Sequence, residues 1–138
     1  MSVHAGLLRL QTDGNGEIVD LTEGVAAIVT RSGVRSGVAV VFAAGATVAV
    51  TTLEYEPGAV ADLQELLERI APAGSEYRHN ALNADTNAHA HLRAALVGPS
   101  EAVPIVDGEL GLGTWQQVVL LDFDDRARER VVSVHVLS

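Results

Sequence analysis

The chain has no cysteine and no lysine. Lacking cysteine, it cannot form disulfides, thiolate zinc sites or a cysteine nucleophile, so any metal must be held by His, Asp, Glu or backbone oxygen. Lacking lysine, it has no route to a Schiff base or to a P-loop lysine. Aromatic side chains are few: one Trp, two Tyr and two Phe. Positive charge is also scarce, with nine basic residues, all arginine, against 18 acidic ones and a formal net charge of −9. An acidic surface with few stacking rings argues against nucleic acid, whose binding rests largely on phosphate neutralisation. No apolar run reaches the ~20 residues that span a bilayer. The opening "MSVHAGLLRL" lacks a basic segment followed by a long apolar one, so no signal peptide is expected. The expectation is a cytoplasmic protein without a membrane partner.

What is present suits one domain over residues 1–138, with 48% hydrophobic residues available for a core. "VHAGLLRLQT" (3–12) reads as a first strand and "DGNG" (13–16) as a turn. "EIVDLT" (17–22) leads into a helix that Thr22 can cap, with Val25, Ile28 and Val29 on one face. "VAVVFAA" (38–44) and "ATVAVTTLE" (46–54) are β-branched strands bounded by Gly45 and by Pro57-Gly58. "AVADLQELLERIAP" (59–72) is the clearest helix, with a stripe of Val60, Leu63, Leu67 and Ile70. "GSEYRHN" reads as a loop, after which the histidine segment "NADTNAHAHLRAAL" (83–96) becomes helical near residue 86 or 87. Four further strands, "EAVPIV", "ELGLG", "TWQQVVLLDFD" and "RERVVSVHVL", complete an α+β domain with mostly antiparallel pairing.

In the histidine segment, Asn87 and His91 are four apart and share a helical face. Ala88, Leu92, Ala95 and Leu96 are expected to form the buried stripe, with His91 and His89 on either side of it, roughly 160° apart. Two histidines so placed do not chelate one ion from within the helix. His91 has two readings, a helix-edge residue bonded to a backbone carbonyl or a functional group, and His79 is a loop residue or a site residue. His89 is expected to face solvent, and Asp85 is an N-cap or a site residue. Trp115-Gln116 divides equally between core or turn structure and site.

The segment from "HAHLRAAL" through "GPSEAVPIV", "GTWQ" and "DFDDRARERVVSV" resembles the YjbQ-like family, the secondary thiamine-phosphate synthase family. The match runs through residues 77–134, and "TRSGVRSGVAVVF" and "LEYEPGAVADL" match more loosely. The resemblance implies an α+β fold of two packed antiparallel β-sheets with two to three helices, assembled as a homotrimer. Two-sided apolar strands such as "VAVVFAA" point to the same need for cover.

The resemblance also implies a cleft lined by histidines and an acidic residue, with a divalent metal such as zinc. On the matching positions it places His79, His91, Asp85 and Asn87 in catalytic roles, and His79 and His91 as metal ligands. Glu54, Arg93, Trp115 and Gln116 fall on the ligand-binding side, with Arg93 or Arg78 toward phosphate groups. One departure stands out. The family's histidine after the V-x-V-F strand is Gly45 here, followed by Ala46 and Thr47. A metal site would thus lose one nitrogen donor, and the alternative is a metal-free pocket lined by His79 and His91. Two functions follow: weak thiamine-phosphate synthase activity on a small phosphorylated molecule, or a catalytically impaired small-ligand-binding or assembly protein of the same fold.

Overall fold

A computed structural model describes residues 1–138. The elements run β1 (Val3–Thr12), β2 (Glu17–Asp20), α1 (Thr22–Ser32), β3 (Ser36–Ala43), β4 (Val48–Leu53), α2 (Pro57–Ile70), α3 (Arg78–Asn83), α4 (Ala88–Val97), β5 (Ser100–Val106), β6 (Glu109–Leu110), β7 (Gln117–Asp122) and β8 (Arg128–Leu137). They form a five-stranded sheet in the order β1-β8-β3-β5-β6 and a three-stranded sheet in the order β2-β7-β4. Every pairing is antiparallel. The α+β architecture of two packed antiparallel sheets is thus as expected, but there are four helices rather than two or three. The additional one is α3, in the segment that reads as a loop.

The two ends of the chain pair with each other, Val3 opposite Leu137 and Thr12 opposite Arg128. Alternation along the strands sends Val41, Val132, Val134, Val118 and Leu120 between the sheets, where Val25, Ile28 and Val29 of α1 join them. Helix α1 lies close on β1 because glycines line the contact. A Cβ on Gly6 would stand 2.8 Å from Ile28 Cδ1, and one on Gly24 would stand 2.9 Å from Leu8 Cδ2. The far face of the three-stranded sheet carries a second core, where Ile18, Ala49, Val119, Leu121 and Phe123 meet Leu67 of α2 and Ala90 and Ala94 of α4.

Several local expectations change. Thr22 does not cap α1; its hydroxyl accepts the Val118 N–H, and Asp20 takes the Thr22 N–H. Helix α2 starts at Pro57, because the Glu56 carboxylate accepts the N–H groups of Gly58 and Ala59 and proline suits the first helical position. Ile70 leaves the expected stripe and is exposed. Strand β6 covers only Glu109–Leu110, and β7 begins at Gln117, so Trp115 lies on a loop and not on a strand.

The outer face of the five-stranded sheet has no helix over it. Its cross-strand rows read Val3–Leu137–Val38–Pro104, Ala5–His135–Val40–Ala102 and Leu7–Ser133–Phe42–Ser100. Leu7 is 55% exposed and Phe42 42%. No helix is long and apolar enough to cross a membrane.

Candidate functional site

Helices α3 and α4 build the site, with α3 capping the start of α4. Asn80 of α3 accepts the Ala88 N–H at 3.0 Å, satisfying a first-turn donor of α4 that no group of α4 could reach. Ala84, with φ of 51°, ends α3 and turns the chain toward α4. This hinge carries His79 and His91 together: the ring centroids are 4.7 Å apart and the planes meet at 75°, edge to face.

Each ring is held by its own partner. His91 Nδ1 lies 3.0 Å from the Ala46 carbonyl. A carbonyl oxygen only accepts, so Nδ1 carries the proton and Nε2 of the neutral ring keeps its lone pair. The helix-edge reading of His91 is therefore correct in its contact, and the contact itself prepares the ring. His79 Nε2 donates to Asn87 Oδ1 at 3.1 Å, and Asp85 Oδ2 stands 3.9 Å from the same nitrogen. Asn83 donates to the His79 carbonyl at 2.9 Å. Both rings line a cleft of about 830 Å³ whose other walls are Glu76, Tyr77, Arg78, Ala88 and Leu92.

The donor set does not complete a protein-held zinc site. Nowhere in the chain do three histidine, aspartate or glutamate side chains stand at metal-binding spacing. His79 Nε2 is engaged by Asn87, and a closed or catalytic zinc site needs three or four protein ligands. Gly45 contributes no side chain.

The remaining candidates lie elsewhere. Arg93 does not reach the cleft: its Nε donates to the Ala71 carbonyl at 3.0 Å, its Nη2 pairs with Glu68, and its guanidinium sits 6.0 Å from the Phe123 ring centroid. The bond from Arg93 holds the Glu68 carboxyl below its usual range. Gln116 accepts the Gly113 N–H and donates to Thr52, beside the end of β4 that Glu54 leaves. Trp115 is 71% exposed on the same loop. Six β4 residues at ~3.3 Å each put roughly 20 Å between this end and the Ala46 end. Within one copy, His79, His91, Asp85 and Asn87 come together, while Glu54, Trp115 and Gln116 gather at the opposite end of the strand.

His89 is buried, against expectation, and its Nδ1 has no partner. The predicted stripe is the cause of the error. Of that stripe only Ala88 is buried; Leu92, Ala95 and Leu96 are exposed, and the helix buries Ala90 and Ala94 instead. These small residues let α4 approach the sheet closely, which carries His89 and Arg93 inside with them. Burial, followed by the charge of Arg93, pushes the His89 pKa below its usual value, against the opposing pull of Asp125, Glu68 and Asp124.

Sequence reading missed Asn80, the Ala46 carbonyl and an ion network under it formed by Asp122, Asp124, Arg128 and Arg130. The alternating acids and bases of "LDFDDRARER" were the available signal for the network; nothing marked the other two. For Asp124, burial raises the pKa, but bonds from Arg128 and from the Asp125 N–H outweigh it and the net shift is downward. Bonding to Asp122 raises the pKa of Arg130 further despite its burial.

Comparison with known proteins places this arrangement. The model of the UPF0047 protein YjbQ-like family matches residues 7–138. A UPF0047 protein of Methanothermobacter thermautotrophicus is 36% identical over 131 residues, covering 95% of this chain and 90% of the relative. One from Archaeoglobus fulgidus is 39% identical over 125 residues, covering 91% and 95%. Among solved structures, a YbjQ-like protein of unknown function from Sulfolobus solfataricus superposes with a TM-score of 0.90 at 30% identity, covering 99% of both chains. A hypothetical protein from Aeropyrum pernix gives 0.91 at 33% identity, covering 97% of this chain and 98% of that one. With the family model spanning all but the first six residues, the chain belongs to the YjbQ-like UPF0047 family.

Proposed function

We propose that the cleft between α3 and α4 binds a small phosphorylated molecule without a protein-held metal, and that His91 and His79 exchange protons with it. The observation that carries this reading is the edge-to-face imidazole pair, with His91 Nδ1 committed to Ala46 and its Nε2 free of any protein partner. Arg78 on the cleft wall is the cation for a phosphate. Thiamine-phosphate synthesis is then a weak activity of this cleft. The thiazole nitrogen attacks the pyrimidine methylene carbon, the new C–N bond forms as the C–O bond breaks, and pyrophosphate leaves. Once His91 Nε2 has taken up a proton, the resulting imidazolium donates it to the leaving oxygens and stabilises their charge.

The test is calorimetric titration with inorganic pyrophosphate and with thiazole phosphate, without metal and with added zinc. Binding that weakens at least tenfold in His91→Gln and His79→Gln supports the reading. Equal binding by the variants overturns it, and binding only with stoichiometric zinc overturns its metal-free part.

A second reading concerns assembly and rests on the bare apolar rows of the five-stranded sheet. We infer that a homotrimer covers this face. A chain of net charge −9 that carries no Asp, Glu or Arg in these three rows has reason to bury them against copies of itself. Phe42→Glu should shift the mass in light scattering from trimer to monomer. A monomeric wild type at micromolar concentration would refute the assembly.

A further inference from the structure

We infer that Arg130, acting through Thr47, is a positioning residue for His91: the buried ion network beneath the β3–β4 turn sets which nitrogen of that imidazole carries the proton. The inference rests on the reading of His91 Nε2 as the free proton acceptor of the cleft.

Six polar or charged residues of the chain are buried, and four of them, Thr12, Thr47, Asp122 and Asp124, belong to this one network. Asp122 has no exposed surface. Arg130 donates from Nε to Asp122 at 2.7 Å and from Nη2 to the Thr47 hydroxyl at 2.9 Å. The same hydroxyl donates to Asp124 at 3.3 Å, and Thr12 donates to Asp122 at 2.5 Å. The Thr47 carbonyl accepts the Phe123 N–H at 2.9 Å. Thr47 is thus fixed by both its side chain and its main chain.

That matters because the nitrogen of Thr47 and the carbonyl of Ala46 belong to one peptide group. The group is planar and does not turn freely about its C–N bond. A held Thr47 therefore aims the Ala46 oxygen, and that oxygen holds His91 Nδ1–H. The turn also sits directly on the arginine, since a Cβ on Gly45 would lie 3.5 Å from Arg130 Nη1. A buried ion network is weak evidence for stability, because desolvation offsets much of its attraction. Its value here is that a forked guanidinium between two carboxylates and a hydroxyl allows only one arrangement of the turn.

The test reads the ring nitrogens of His91 by long-range proton–nitrogen NMR, alongside titration with inorganic pyrophosphate. Thr47→Val keeps the shape and removes both hydroxyl bonds; Arg130→Lys keeps the charge and removes the fork. Both should reduce the fraction of His91 protonated at Nδ1 and weaken pyrophosphate binding by between about 2-fold and about 30-fold. Thr47→Ser, which retains the hydroxyl, should restore both readouts. Ile28→Val lowers stability from a distant part of the core and should leave the His91 signals in place, which separates positioning from loss of fold. Folded Thr47→Val and Arg130→Lys with wild-type His91 signals overturn the inference, as does a Thr47→Ser that behaves like Thr47→Val. If the NMR signals shift as expected but His91→Gln binds pyrophosphate like wild type, the positioning stands and the reading of the cleft fails.

Discussion

Two polar clusters lie on either side of the Ala46–Thr47 peptide, and they obey opposite rules. On one side, Asp122, Asp124 and Arg130 are nearly sealed from water, and with Arg128 at the edge two carboxylates are bonded to two guanidinium groups. On the other side, His79 and His91 open into a cleft, with Asp85 and Asn87 against His79, and one imidazole nitrogen has no protein partner. A buried polar group without a partner costs ~1–3 kcal/mol, so the inner cluster must be closed. Water can serve the outer one, so it is free to leave a lone pair for a ligand. The inner cluster is a frame and the outer one a working surface.

The largest effect should come from breaking the frame. Asp122→Ala removes the fully buried carboxylate that takes both Nε and Nη2 of Arg130 and should lower unfolding stability by about 3 kcal/mol, measured by urea denaturation. The working surface should respond the other way. His79→Gln, at a half-exposed position, should change stability by no more than ~0.5 kcal/mol yet cost ~1.4–3 kcal/mol in pyrophosphate affinity. If both variants lose stability alike and neither affects binding, the contrast between frame and surface is wrong.

Asn80→Ala tests the joint between the helices. Loss of a side-chain cap typically costs ~1 kcal/mol, here with increased hydrogen exchange in the first turn of α4. Unchanged exchange at Ala88 and His89 would remove Asn80 from the account. A gentler effect is expected from pH. Burial holds His89 neutral in the fold, whereas the unfolded chain takes up its proton near pH 6.5. Below that value the unfolded state binds more protons, so stability should fall with falling pH until the lower folded pKa is reached. His89→Leu should flatten this limb of the stability–pH curve; an unaltered slope would show that another group is responsible.

Much of the fold was legible along the chain. β1 occupies the residues read as its strand, and "DGNG" turns where expected. These features depend on alternation and turn chemistry within a few residues, which a linear reading detects. The site was legible in part. His79, His91, Asp85 and Asn87 do gather, but Glu54, Trp115 and Gln116 lie at the other end of β4, and Arg93 turns to Glu68. Membership in a motif did not reveal which end of a strand a residue occupies.

Composition and local pattern by themselves determined the strand-rich α+β class, the helix read over residues 59–72, which in the fold runs Pro57–Ile70, and the exclusion of thiolate and lysine chemistry. Tertiary structure alone decided which side of α4 is buried. An alanine-rich helix has no strong apolar face of its own, and close approach to the sheet selected Ala88, Ala90 and Ala94 over Leu92 and Leu96. It also decided the state of His91, because the carbonyl that fixes its proton is 45 residues away in sequence. A hydrogen bond over that separation exists only once two sheets and two helices have packed around it.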